Sequence, residues 1–266
     1  MSKTRKRKSK VIWNKSRGIY SSAYTQKGDV GKTTFMVLAA SYLHYLKGYN
    51  VAVVDCDYPQ HSIAAMRKRD SELVNNNHLY KLLAYNQFKS FNKKAYPILC
   101  ATPGDAITIA SEYIQNHANE IDIVFFDLPG TVNSEGVIGS LASMDSIFTP
   151  ITADRVVLES TLSFAMTINN LLVQNDEFNL KGLHLFWNQV DKRERTDLYQ
   201  VYEKTISDLE LNLMTTYIPD TKRYKKELYG EKPSIFRSTL FPADKRLMRG
   251  SNLEDLITEI GFIIKL

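Results

Sequence analysis

Short β-prone runs recur along this chain with helical stretches between them, and that alternation restricts the fold more than any other feature. The runs fall at residues 18–24, 51–54, 97–101, 121–126, 146–149, 183–187 and 214–218. Helices are expected between them, for example over 32–47, 154–174 and 194–210. Apolar strands alternating with helices call for a mostly parallel sheet covered by helices on both faces, a three-layer α/β architecture. In such a sheet, binding and chemistry belong at the carboxyl ends of the strands. The polar run Asn75, Asn76 and Asn77 is expected to be a loop.

With 266 residues, 44% hydrophobic and 24% charged, the chain has the makeup of a globular protein, and one domain over residues 18–266 accounts for it. Residues 1–17 are polar and aperiodic, so a flexible basic arm is expected there. No run of about 18 apolar residues occurs, which argues against a membrane span. The uncharged, apolar-rich stretch 33–46 suits a buried helix. Two cysteines, Cys56 and Cys100, are too few for a disulfide framework. With no secretory leader in view, a reducing, cytoplasmic setting is expected. The five histidines show no metal-ligand spacing.

The net charge of +5 is concentrated in two places. Lys3, Arg5, Lys6, Arg7, Lys8 and Lys10 crowd the first ten residues; without those six, 28 bases face 29 acids. A second cluster holds Lys222, Arg223, Lys225, Lys226, Lys232, Arg237, Lys245, Arg246 and Arg249 against three acids. Such clusters suit a polyanion partner, because neutralised phosphates release counterions. Solvated surface is the plainer alternative.

Between the first strand and the first helix lies K-G-D-V-G-K-T-T, residues 27–34. Phosphate binding needs glycines that let the backbone aim its N–H groups inward, a lysine for the outer phosphates and a hydroxyl for Mg²⁺. Gly28, Gly31, Lys32 and Thr33 supply these, and the helix N-terminus adds its dipole. Two later strands each end on aspartate, D-C-D-Y-P-Q at 55–60 and D-L-P-G at 127–130. Taken alone, Asp55 and Asp57 read equally well as caps of the next helix.

The loop resembles the deviant Walker A motif of the ParA/MinD family of P-loop ATPases, with Asp29 where that family has a second glycine. The family's fold is the three-layer P-loop NTPase fold. The resemblance implies that Lys27 reaches across an ATP-dependent homodimer to the partner's phosphates, and that Gly28, Asp29, Val30, Gly31, Lys32, Thr33 and Thr34 bind ATP. It implies that Asp57 positions the attacking water. Asp55 then supports the Mg²⁺ shell, and Asp127 takes Mg²⁺ through water opposite Thr33. Asn188, in N-Q-V-D at 188–191, is similar to the family's base-reading asparagine; the same segment also resembles a guanine-reading N-K-x-D box, so ATP is favoured and GTP stays open. Pro219 and Asp220 align with the segment beside the adenine, and an ordinary turn is an equal alternative there.

Too little sequence precedes the loop for the helix-turn-helix of larger ParA proteins. The chain therefore resembles a small ParA, whose implied cycle joins slow hydrolysis, a ParB-like or other activating partner, and nonspecific binding of double-stranded DNA. Lys222, Arg223, Arg237, Lys245, Arg246 and Arg249 are the candidate DNA contacts. The D-C-D-Y-P-Q variant and residues 236–242 resemble ParA-like TraA proteins of Bacteroides conjugative elements. Two rivals on the same scaffold are a MinD-like positioning ATPase and an ATP-dependent enzyme of the dethiobiotin synthetase type. The apolar stripe of the last helix, backed by Glu254, Asp255 and Glu259, suits packing on the domain rather than an anionic membrane.

Overall fold

The computed structural model describes residues 18–24, 31–117, 121–130, 136–191, 193, 196–228 and 234–266. The arm at 1–17 and the loop residues Lys27, Gly28, Asp29 and Val30 lie outside the described residues. A seven-stranded sheet runs in the order β3-β2-β4-β1-β5-β6-β7. Its strands are β1 (Ile19–Ala23), β2 (Val51–Asp55), β3 (Ile98–Cys100), β4 (Ile123–Asp127), β5 (Ser146–Ile151), β6 (Leu183–Trp187) and β7 (Asn212–Leu213). Every pairing is parallel.

The period of two along a strand sends alternate side chains to opposite layers. In β4, Val124 and Phe126 join one buried cluster, while Ile123 and Phe125 join the other. The first cluster is closed by α4 (Ala106–Asn116), α5 (Val137–Ala142) and α6 (Arg155–Ile168), with Ile206 from α7 (Thr196–Asp208). The second is closed by α1 (Lys32–Tyr45), α2 (Ser62–Asn76) and α9 (Leu253–Ile264). Residues 35–45 of α1 are all buried, as the uncharged stretch requires. In α9, Leu253, Leu256, Ile257, Ile260 and Ile264 are buried, so its apolar stripe is used on the core.

Three expectations are corrected. No strand forms at 214–218: Glu259 of α9 accepts the N–H groups of Thr215 and Thr216 at 2.8 and 2.9 Å, which takes those donors from the ladder. The edge strand is β7, and beyond it, among the described residues, only a bridge joins Val190 to Pro219. The asparagine run is not a loop: α2 includes Asn75 and Asn76. Asn77 caps α3 (His78–Phe91) by accepting from the N–H groups of Leu79 and Tyr80. Finally, α6 continues as a π-turn over Asn169–Val173, and Arg155–Val173, with hydropathy 1.4, is long and apolar enough by composition to cross a membrane. Its place is on the sheet, where Leu158, Leu162, Ala165, Ile168 and Leu172 are buried.

The C-terminal segment before α9 is pinned by side chains from the first three helices. The buried Asp70 carboxylate of α2 accepts from the Thr239 N–H and hydroxyl, both at 2.7 Å, and from the Ser238 hydroxyl at 3.0 Å. Arg67 donates to the Thr239 hydroxyl and carbonyl at 3.0 Å. Ser41 and Tyr45 of α1 donate to the carbonyls of Ser238 and Thr239, and Gln87 of α3 to that of Leu240. A short helix, α8 (Lys245–Met248), follows the pinned segment.

Candidate functional site: the carboxyl edge of the sheet

Helix α1 starts immediately after Gly31, whose φ of 80° lies in the left-handed region. A Cβ at Gly31 would also come 3.1 Å from Asn188 Nδ2, so a side chain there would press on Asn188. The first bond of the helix runs from the Phe35 N–H to the Gly31 carbonyl, and no side chain among the described residues caps this end. The amides of Thr33 and Thr34 precede that bond and face the direction in which helix ends bind anions.

Asp55 and Asp127 pair in register at the ends of β2 and β4, next to this helix end. The Thr33 hydroxyl donates to Asp127 Oδ2 at 2.8 Å. Asp127 is 1% exposed, and burial pushes its pKa up to about 7; Asp55 and Asp57 add to the rise, while Thr33 and Lys32 oppose it. Burial lowers the Lys32 pKa against the pull of Asp127 and Asp57. Lys32 also lies 5.5 Å from the Tyr24 ring centroid, a cation–π arrangement.

The fully buried Asp55 accepts from the N–H groups of Ile63 and Ala64, both at 2.9 Å, with Oδ2. One of its oxygens is therefore the cap of α2, as the alternative reading of the sequence had it. Asp57 is half-buried, and its Oδ2 accepts from Ser62 at 3.3 Å.

Asp57 and Asp127 thus face one ammonium beside an anion-binding helix end, with Asp55 in register next to Asp127. This donor set fits Mg²⁺ held by Thr33 and Asp127 together with phosphate oxygens and water, the manner in which Mg²⁺ is usually bound. A dedicated cage of three or more His, Cys, Asp or Glu side chains is absent among the described residues.

Beside the helix end opens a cavity of about 400 Å³. Phe35, Leu38, Phe186 and Ile218 give it apolar walls, and Gly31, Thr34, Asn188, Pro219 and Asp220 line it with polar atoms and backbone. Its size and apolar lining with a few polar groups suit a small planar ligand such as a base with its ribose. Asp191 is not part of this lining. Its carboxylate closes on Arg193 at 2.7 Å, and that bond pulls its pKa down to about 2. The guanine-reading arrangement therefore has its asparagine in the cavity and its aspartate engaged elsewhere.

The candidate DNA contacts divide. Lys222, Lys245, Arg246 and Arg249 are exposed or half-exposed. Arg223 folds back, and its Nη1 donates to the Leu247 and Arg249 carbonyls at 2.6 Å, which joins the short 3₁₀ turn Lys222–Lys225 to α8. Arg237 does not belong with the outward-facing bases: it lines the cavity, and its guanidinium donates to the Thr34 hydroxyl and pairs with Glu227. Sequence reading could not place it there, because the contact joins residues 203 positions apart.

The sequence profile of the CobQ/CobB/MinD/ParA nucleotide binding domain, CbiA, matches residues 22–233. Among solved structures, the chain is similar to a plasmid partition protein of Borrelia burgdorferi B31 bound to AMPPNP, at 16% identity and TM-score 0.55, covering 94% of this chain and 100% of that one. It is also similar to cobyrinic acid a,c-diamide synthase of Mycobacterium smegmatis with an ATP analogue and magnesium, at 20% identity and TM-score 0.51, covering 81% and 88%. A third is the MinD cell division protein of Aquifex aeolicus, at 14% identity and TM-score 0.52, covering 77% and 84%. At these identities the likeness concerns the fold. Among curated proteins none is a significant match. The profile match spans most of the chain and takes in β2 to β7 and the helix end that they surround, and on that ground this protein belongs to the CobQ/CobB/MinD/ParA nucleotide-binding family.

Proposed function

We propose that the chain, through a single domain at 18–266, is a ParA-type ATPase that uses ATP and Mg²⁺ to switch between a monomer and a DNA-binding homodimer. The observation that carries this reading is the convergence of Lys32, Thr33, Asp57 and Asp127 at the N-terminus of α1. Bound Mg²⁺ would neutralise phosphate charge, with Thr33 and Asp127 holding it and Asp55 behind them. Lys32 and the amides of Thr33 and Thr34 would hold the outer phosphates, and Asp57 would orient the attacking water, since phosphoryl transfer depends mainly on positioning and charge. Asn188, Pro219 and Asp220 line the cavity that would receive the adenine. Lys27, with the rest of the loop before Gly31, would complete the site across the dimer.

Lys222, Lys245, Arg246 and Arg249 supply the positive surface for nonspecific DNA, and a ParB-like or other partner would stimulate turnover. Such a switch would serve partition, maintenance or transfer of a plasmid or mobile element in the cytoplasm, as in the TraA-like proteins that residues 236–242 resemble. The MinD-like alternative needs an apolar helix face for lipid, and the stripe of Leu253, Leu256, Ile257, Ile260 and Ile264 on α9 is buried, with Phe262 left exposed.

The test is fluorescence anisotropy of a random-sequence duplex with ATP–Mg²⁺, with ADP and without nucleotide. Binding that requires ATP supports the switch. Equal binding in all three conditions assigns DNA affinity to the N-terminal arm, and no binding removes DNA from the proposed role.

A further inference from the structure

Arg237 is the one candidate DNA contact that the structure turns into the cavity, and its surroundings are those of a ligand-binding group. Its side chain is only 22% exposed. One guanidinium nitrogen donates to the hydroxyl of Thr34, in the first turn of α1, and the other pairs with Glu227. Its Nε is buried and has no hydrogen-bond partner among the described residues. A buried donor on a charged group is costly to leave unmade, so a site whose described residues offer it no acceptor is suited to one from a ligand.

The position of Arg237 is over-determined. Its own N–H bonds the Lys226 carbonyl at 2.9 Å, and the two residues that follow are pinned by Asp70 and Arg67. Glu227 lies 3.7 Å from Arg69 as well, so its carboxylate is shared between two guanidinium groups and only partly neutralises Arg237. The guanidinium therefore sits between the anion-binding end of α1 and the cavity, where the phosphate next to a bound ribose would lie.

We propose that Arg237 is a nucleotide-phosphate ligand of this site, supplied by the C-terminal segment and steered by Glu227. A planar fork of donors matches phosphate oxygens, and a charge-assisted bond in a half-buried site is stronger than a neutral one. The proposal rests on the nucleotide reading above and adds to it a residue outside the phosphate loop and the two aspartate segments. The rival role is a strut that merely ties α1 to the C-terminal segment.

Calorimetric titration of the full chain with ADP, and with adenosine by displacement of ADP, separates the two. Arg237→Gln should weaken ADP at least about tenfold and leave adenosine unchanged, because only ADP carries the phosphate. Equal loss of both ligands, or loss of neither, makes Arg237 a strut and overturns the proposal. If Arg237→Gln fails to fold, Arg237→Lys decides: it keeps the charge without the fork, and a loss confined to ADP is again required. Lys32→Ala is titrated alongside. Loss of ADP binding in Lys32→Ala but not in the Arg237 variants defeats only the Arg237 assignment, whereas a wild-type chain that binds no ADP defeats the nucleotide reading and this proposal together.

Discussion

The Thr33 hydroxyl donates to the Asp127 carboxylate at 2.8 Å, joining the first turn of α1 to the end of β4 across 94 residues of sequence. This bond holds the two groups assigned to Mg²⁺ beside each other and relieves a carboxylate that is 1% exposed. Thr33→Val keeps the shape and removes the donor. The unliganded protein should lose about 1–3 kcal/mol in chemical denaturation. Titration with ATP should also show a much smaller difference with and without Mg²⁺; an undiminished Mg²⁺ dependence would remove Thr33 from the metal site.

The buried clamp around Asp70 predicts a stability effect away from the site. Asp70→Ala deletes the acceptor of three hydrogen bonds from Ser238 and Thr239 and leaves Arg67 without its nearby carboxylate. The expected cost is about 3 kcal/mol or more, which lowers the melting temperature on the order of 5–10 °C. An unchanged melting curve would show that the segment is held by its apolar residues alone.

How much of this was legible in sequence follows from the range of the interactions involved. Buried parallel strands read as apolar runs, so β2, β4 and β6 were visible, and the aspartates closing β2 and β4 were visible with them. Helix α1 declared itself by an uncharged stretch too long for a strand. Local patterns could not show that Glu259, on a distant helix, would take the amides of Thr215 and Thr216 and end the sheet early. Nor could they turn Arg237 from the solvent to the cavity, because the contacts that do so come from α1 and residue 227. Asn77 misled for a local reason: a short polar side chain that favours turns also caps helices, and here it caps α3.

A buried histidine, His44, and a half-buried one, His184, give a pH signature. Burial lowers the His44 pKa, against a bond to the Lys94 carbonyl, and burial likewise lowers that of His184, against the pull of Glu259. The unfolded chain therefore binds more protons below about pH 6.5, and the stability gained from neutral imidazoles is lost as pH falls through that value. Asp70 and Asp127, raised by burial, slope the other way over the acid range, so the informative quantity is a difference between proteins. His184→Phe keeps a ring against Phe148 and should show a smaller loss of melting temperature than wild type between pH 7.5 and about 5.5. Parallel losses would place the acid sensitivity elsewhere.

The outward-facing bases predict a salt signature. Replacing Lys222, Lys245, Arg246 and Arg249 by alanine should flatten the dependence of DNA affinity on salt by about 0.9 in log–log slope for each phosphate no longer neutralised. The measurement is anisotropy of a random duplex at saturating ATP over a salt series. An unaltered slope would assign DNA binding to the N-terminal arm.

A nucleotide site at the N-terminus of α1 is the central claim, and its most direct test is calorimetric titration of the full chain with ATP and Mg²⁺, beside Lys32→Ala and Asp57→Ala. Lys32 is placed on the phosphates and Asp57 on the attacking water. Binding is therefore expected for wild type and for Asp57→Ala, and its loss in Lys32→Ala. Binding of equal strength in all three proteins would contradict the claim.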